Sequence, residues 1–479
     1  MTRGLSGDDT YLVNWAAART IGIAAALLLV TAAAWAQRPY YLSDLGSMGG
    51  LVSQARSISE HADVAGWAMV DQDPLAVLYE PAGPVSLGTL AGYTQSYAYG
   101  MNASGRIVGS CGNEGSTSTA AMYYGGSWSN LGSLGGAFAC AEAINTTGQA
   151  VGNAGFDPAN PAARRAFRIT PADTDGDGHG DLWYRDANAD GLNDLMQDLG
   201  TLGGTSSSAQ SINDAGDVVG SSSTSGLTHA FLYRRSAMVD IGSLHGQPSY
   251  ATDINSAGRV VGYTLCTDEG APGLRGFVFE DVDDDLQADH GELSLLPQGA
   301  GEDVAFAIND AGVVVGRTTI DGYMERACVW SDGGAFNLND LIPTDSEMIL
   351  YEARDINNAG QIVGTGVSLV DFNNHAFLLT PAHFGDATGD GLVDVGDLGV
   401  MAINWGLSGC GWRQADYTGD GVVDVGDLGV LAMNWGWTRS AAPPAAQGAD
   451  VPEPGTLLLL CLAAVWRRAR ARPTATGLV

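Results

Sequence analysis

Apolar and polar positions along most of this chain follow a repeating order of short segments and not one continuous helical or strand period. An apolar residue plus Asn, two further residues, Gly and then a short β-branched run ending in Gly stands at 144–152, 212–220, 254–262, 308–316 and 356–364. Looser copies stand at 58–66 and 101–109. The Asn-equivalent positions 59, 102, 145, 213, 255, 309 and 357 are separated by 43, 43, 68, 42, 54 and 48 residues. Repeats of about 40 residues built from short strands mark a propeller or another stacked β architecture.

Each unit offers four strands. In the copy around Asn213 they are 206–213, 217–221, 229–233 and 238–242, the last ending in an Asp-Leu-Gly relative. Between the first two, Asn213-Asp214-Ala215-Gly216 is a hairpin signal, because Asn bonds its own downstream backbone and Gly takes positive φ. Four strands in this length make one propeller blade. The array begins with a lone fourth-type strand, 40–46, and ends after a third-type strand, 375–379. A ring repairs both deficits by letting the first strand complete the last blade, whereas an open solenoid would need distinct caps. The expected fold is therefore all-β, a seven-bladed β-propeller over 37–382 closed by its N-terminal strand. An open β array or a two-part β domain are the alternatives.

These units resemble extracellular HAF repeats, through His229-Ala230-Phe231 and His375-Ala376-Phe377 in order with Asp-Leu-Gly and Ile-Asn segments. Other copies diverge, as in Arg165-Ala166-Phe167, Arg275-Gly276-Phe277 and Arg326-Ala327-Cys328. The resemblance implies architecture and export and supplies no catalytic constellation.

Charge narrows the partners. Fifty-four acidic residues stand against 22 basic ones, giving a formal net charge of −32, and every cation is Arg. Such a surface repels phosphate backbones, so nucleic acid is not an expected partner. Gly, at 67 residues, lacks collagen's period and reads as turns. At the N-terminus, Arg19, the apolar run 21–34 and Ala34-Trp35-Ala36 read as a signal peptide over 1–36, with a retained membrane anchor as the alternative.

Two units gain their extra length between the third and fourth strands. The larger insert carries Asp173, Asp175, Asp177 and Asp181, then Asp186, Asn188, Asp190 and Asp194. Alternating carboxylates on a tight turn, with Gly178 and Gly191 allowing the bend, suit Ca2+. Each half lacks an acid at its twelfth position, which is Tyr184 or Gln197, and a solvated acidic loop is the plainer reading. The second insert, with Asp281, Asp283, Asp284, Asp285 and Asp289, lacks an internal Gly and is the weaker metal site.

A different duplication fills 384–437. Counting Asp386 and Asp416 as position one, acids occupy positions one, five, nine and twelve, with Gly at six. The implied calcium ligands are Asp386, Thr388, Asp390, Leu392, Asp394 and Asp397, then Asp416, Thr418, Asp420, Val422, Asp424 and Asp427. Leu392 and Val422 would contribute backbone carbonyls. Leu398-Met401-Trp405 and Leu428-Leu431-Trp435 follow at helical spacing, with Gly399 and Gly429 weakening the helices. The module resembles a type I dockerin domain, which implies Ca2+ and a cohesin-like partner. Thr388 and Thr418 at position three, and Val395-Gly396 and Val425-Gly426 at positions ten and eleven, depart from that family. The departures weaken cohesin docking more than metal binding.

A linker over 438–450 leads to Pro452-Glu453-Pro454, an apolar stretch to Trp466 and an Arg-rich end. This 451–479 segment resembles a PEP-CTERM sorting tail, implying an exosortase-type processing enzyme, a transient membrane anchor and a cell-surface or extracellular-matrix location.

Cys111, Cys140, Cys266, Cys328, Cys410 and Cys461 show no C-x-x-C spacing, and Cys111 with Cys140 is a possible bridge between blades. His229 and His375 fall at equivalent repeat positions and read as structural hydrogen-bonding groups. No nucleophile elbow, zincin helix or Walker loop occurs. The expected function is a non-enzymatic, exported, calcium-binding surface or matrix protein that holds a polysaccharide or a surface protein through propeller loops. The alternative is a carbohydrate-active enzyme carrying a docking module, which would show two acids about 5 to 9 Å apart in a deep channel.

Overall fold

Each Ile-Asn repeat folds as the hairpin between the first two strands of a four-stranded antiparallel sheet. The computed structural model describes residues 38–439, apart from 115–116, 161, 177–179, 243–245, 268–271, 284–291, 332 and 344. The signal peptide, the sorting tail, nearly all of the linker and Asp177 lie outside the described residues. The chain divides into one compact unit, Tyr40–Pro381, and a second formed by Met1–Pro39 with Ala382–Val479. Among the described residues no helix is long and apolar enough to cross a membrane.

The first unit is a seven-bladed β-propeller. Blade four illustrates its order: Ser207–Ile212, Val218–Ser223, Thr228–Arg234 and Ala237–Asp240 pair in sequence. The first strands of successive blades neighbour one another in a ring, with the seventh beside the first. In blade seven, Met348–Ile356, Ile362–Ser368 and Asn374–Pro381 are followed outward by Tyr40–Gly46 from the start of the unit. Tyr40 lies opposite Pro381 and Ser43 opposite Leu378. His375 Nδ1 lies 2.9 Å from an Asp44 oxygen across that pairing. His229 lies 2.8 Å from Asp240 in blade four, so the two histidines tie third strands to fourth strands.

The repeat's Asn does more than make a turn. Its Oδ1 accepts backbone N–H groups of its own loop, as Asn255 does from Ala257 and Arg259 at 3.1 and 3.0 Å. Its Nδ2 donates to the backbone carbonyl of the equivalent residue in the next blade. The series runs Asn102 to Asn145 (2.9 Å), Asn145 to Asn213 (3.0 Å), Asn213 to Asn255 (3.3 Å), Asn255 to Asn309 (3.1 Å), Asn309 to Asn357 (3.2 Å) and Asn357 to Ser59 (3.1 Å). All six Asn side chains are buried, where an unmet polar group would cost about 1–3 kcal/mol. Ser59 has no amide to pass on, and its hydroxyl bonds within its own turn.

The glycine that ends each β-branched run has a different cause from the turn glycines. A Cβ at Gly152, Gly220 or Gly364 would collide with the carbonyl oxygen of Cys140, Ser208 or Glu352 on the first strand. Every first strand carries a register shift two residues before its Ile-Asn or equivalent pair, as at Ala209/Ser211, and this brings the two backbones together. Close approach, and not positive φ, selects Gly there. Between blades, Phe167, Phe231, Phe277 and Phe377 of the third strands are wholly buried. Truncating one to Ala would cost about 3–5 kcal/mol.

Cys111 and Cys140 do not form a bridge: each is a separate buried thiol. Cys111 accepts from the Leu90 N–H at 3.5 Å, and Cys140 donates to Glu142 at 3.3 Å.

In the second unit, helices α1 (Val395–Asn404) and α2 (Val425–Met433) each begin with a capping box, Asp394 with Asp397 and Asp424 with Asp427. Met401 and Leu431 pack with Trp412, Tyr417, Val393 and Val423 in a small core. The expected helical triads shift slightly, because Trp405 is the residue that ends α1.

Candidate functional site

The duplicated loops bring the expected acids together unequally. Asp386 and Asp397 are fully buried, as is Asp427, and Asp416 is nearly so. In the first loop, Asp386 accepts the N–H groups of Gly389 (2.6 Å) and Gly391 (2.9 Å). Asp397 accepts those of Thr388 (3.0 Å) and Asp394 (2.8 Å). The Thr388 hydroxyl lies 3.2 Å from Asp386 and 3.1 Å from Asp397, so three oxygens converge. Asp390 instead caps the Leu392 N–H at 2.9 Å, and Asp394 caps α1 through Gly396 at 2.7 Å.

The second loop repeats the pattern. Asp416 receives Gly419 and Gly421, and Asp427 receives Tyr417, Thr418 and Asp424. Asp420 caps Val422, and Asp424 caps α2 through Gly426. Leu392 and Val422, at position seven, form isolated bridges with Thr438 and Ser408. Burial raises the Asp397 and Asp416 carboxyls above the usual carboxylate range, and neighbouring acids add to it. Buried carboxylates beside a hydroxyl fit a hard dication taking oxygen ligands.

The blade-three insert follows similar rules with one change. Asp186 accepts the N–H groups of Asp190 (3.1 Å) and Gly191 (2.9 Å), Asn188 bonds Asp190, and Asp190 caps Leu192 at 2.8 Å. Asp194, at position nine, accepts the Ala187 N–H at 2.9 Å. In the preceding half, Asp173 accepts Gly176 at 2.6 Å, and Asp181 at position nine accepts the Thr174 N–H and hydroxyl. Asp175 is exposed. A ninth-position acid thus fastens the start of each loop, the task that Asp397 and Asp427 perform from position twelve in the duplicated module.

In blade five, carboxylate oxygens of Asp281, Asp283 and Glu292 lie within 4.8 Å of one another. Sequence reasoning did not anticipate Glu292, which accepts the Val282 N–H at 2.9 Å. Arg234 lies 3.4 Å from Asp281 and 3.0 Å from Asp217, placing a cation beside these acids.

The propeller axis holds a second candidate, a cavity of about 380 Å³. At the first-strand bulge each blade places one half-buried residue on it: Arg56, Tyr99, Glu142, Gln210, Thr252, Phe306 and Arg354. The residue just before each is Ala in all seven blades, and each Ala is buried. The repeat therefore holds its framework constant and varies the bulge residue and the one after it on the cavity wall. Aligning the seven copies would have exposed this signal, but sequence reasoning missed it.

Two further cavity acids, Asp253 and Asp355, follow the bulge. Burial pushes Asp253 up to about 6 and Asp355 up to about 7, the latter with help from Asp253's charge. Raised carboxyls in a cavity suggest acid–base chemistry, but both are already engaged. Asp355 accepts the N–H groups of Ile58 and Ile356, each at 2.8 Å. Asp253 accepts the Ser211 hydroxyl at 2.6 Å and the Ile308 N–H at 2.8 Å. They link blades seven to one, four to five and five to six.

No family model matches the chain, and no curated protein matches it. Among solved structures it is similar to the gluconolactonase XC5397 from Xanthomonas campestris, with 11% identity, 73% of this chain and 92% of that one covered, and a TM-score of 0.34. It is also similar to YCF48 bound to D1 peptide (12%, 72% and 97%, TM-score 0.40) and to an Aleuria aurantia lectin mutant in complex with Fucalpha1-6GlcNAc (10%, 69% and 96%, TM-score 0.31). At these values the likenesses carry no functional argument, and the propeller is read from its own sheets.

Proposed function

We propose that this chain is a non-enzymatic, exported, calcium-binding protein of the cell surface or extracellular matrix, whose propeller is a ligand-binding ring. One observation carries the reading: seven near-equivalent blades present six kinds of side chain, with Arg in two blades, to one axial cavity. That favours the axis over the rim loops as the place where a polysaccharide or protein group is held. Against the enzymatic alternative, Asp253 and Asp355 spend their oxygens on links between blades. Calcium belongs first to the duplicated dockerin-like loops, through Asp386, Thr388, Asp397 and their counterparts, and second to the blade-three insert. A cohesin-like partner and an exosortase that processes the tail rest on sequence resemblance. We also infer that Tyr40–Gly46 is the strand that closes the ring, which its pairing with Asn374–Pro381 supports.

The test is a glycan and protein binding screen on residues 37–437, with calcium and with chelator, scored also for substrate turnover. Binding without turnover is expected. Turnover abolished by Asp253→Asn or Asp355→Asn in protein that keeps its melting transition would defeat the non-enzymatic reading.

A further inference from the structure

We propose that the axial cavity binds a carboxylate carried on a hydroxyl-rich scaffold, a sugar acid, with Arg56 and Arg354 as its paired donors. This rests on the reading of the propeller as a ligand-binding ring and names the ligand class.

Arginines with no carboxylate in ion-pair distance among the described residues also occur elsewhere, as at Arg164 and Arg168, and what distinguishes Arg56 and Arg354 is that both line the axial cavity. Arg56 has none within ion-pair distance among the described residues; its guanidinium sits over the Tyr99 ring, 5.3 Å from the centroid. Arg354 sits 4.2 Å over Phe306 and holds Glu352 at 2.6 Å through Nη2 alone. Its Nε is buried with no acceptor. Burial pushes the Arg354 guanidinium below its ordinary range, and the nearby charge of Arg56 adds to this. Two stacked guanidiniums with unused donors match the fork of a carboxylate.

The other walls choose the scaffold. Gln210 and Glu142 offer amide and carboxyl groups to hydroxyls, while the Thr252 hydroxyl is held by the Val261 and Ala305 carbonyls, and Tyr99, Phe306 and Tyr263 offer ring faces to the C–H side of a sugar. A volume of about 380 Å³ lies at the small end of ligand sites. The acids lining the cavity, Glu142, Asp253 and Asp355, repel a doubly charged phosphate more strongly than a single carboxylate.

The full chain in calcium is titrated calorimetrically with galacturonate, oligogalacturonate, glucose, acetate and inorganic phosphate. Galacturonate or its oligomer is expected to bind more tightly than glucose, acetate or phosphate. Arg56→Gln should weaken that binding by about tenfold or more, with Arg56→Lys between the two. Equal affinity for monomer and oligomer assigns a free sugar acid, and tighter oligomer binding assigns the end of an acidic polysaccharide. Arg354→Gln also loses the Glu352 pair, so its melting is compared with wild type. Arg56→Gln breaks no ion pair among the described residues but removes a charge that acts on the Glu142 carboxyl, so its melting is compared too, and with Arg56→Lys, which keeps that charge, it carries the decision. Absence of uronate binding, tighter binding of phosphate, or uronate binding unchanged in Arg56→Gln overturns the proposal. Glucose binding that is indifferent to both arginines overturns it too, while leaving the ligand-binding reading of the propeller intact.

Discussion

The propeller and the small helical unit hold an acidic chain together by different means. Between propeller blades, buried Ala, Val and Phe side chains pack sheet against sheet, and an amide from one blade meets the carbonyl of the next. The small unit has a modest core around Trp412 and Tyr417, and beside it lie four buried or nearly buried carboxylates, Asp386, Asp397, Asp416 and Asp427. Apolar burial stabilises without help, whereas clustered buried acids need a cation to offset them. The expectation is a structure whose two parts answer to different variables: strand pairing in one, calcium in the other.

The sharpest way to break this comparison is to remove residues 40–46, the propeller's own first strand, from the full chain. Losing the outer strand of blade seven should cost about 5 kcal/mol or more, a large share of ordinary domain stability. Calorimetry should show the propeller transition collapsing while the calcium-dependent transition stays. Next in size, chelation should abolish the helical signal of the small unit and leave the propeller transition in place, and Asp397→Ala with Asp427→Ala should reproduce that effect in calcium. A small unit that keeps its helices in chelator would remove the contrast.

At a single blade junction, Asn255→Ala leaves the Asn309 carbonyl and two loop N–H groups without their bonds. A loss of about 2–3 kcal/mol in chemical denaturation is expected. Ser57→Ala, which removes the bond from the Met101 N–H at the junction lacking an amide bridge, should cost about 1 kcal/mol.

A separate effect is on pH. The folded pKa values of Asp253 and Asp355, about 6 and about 7, lie above the ordinary 3.8, so the folded protein binds these protons more tightly. Their contribution to stability is fullest at acid pH and falls as pH rises through those values. Between about pH 5 and about pH 8 the propeller should lose a few degrees of Tm at constant calcium. The double Asp253→Asn, Asp355→Asn variant should flatten that slope. An unchanged slope would mean that other carboxyls set it.

The blade count and most strand borders were legible because the Ile-Asn hairpin recurs with its turn chemistry intact. The strand at 40–46 was legible because one fourth-type strand lacked a unit of its own. The amide bridges were not, since local sequence tells what Asn213 does in its own turn and nothing about a carbonyl 42 residues away. In the duplicated loops the spacing singled out Asp386 and Asp397, two acids that are buried beside Thr388. It could not foretell that Asp390 and Asp394 turn to backbone N–H groups. Arg56 and Arg354 escaped because isolated charges in a strand read as solvent-facing until the bulge turns them to the axis.

The pairing of Tyr40 with Pro381 has a mechanical consequence. The backbone comes into the ring and leaves it at the same end of one strand pair. Tension between those two points parts the pair like a zipper, bond after bond, instead of loading all its bonds in shear. On the proposal that residues 40–46 close the ring, the force it withstands along its backbone is set by that strand and its partners, however tightly the remaining sheets are packed.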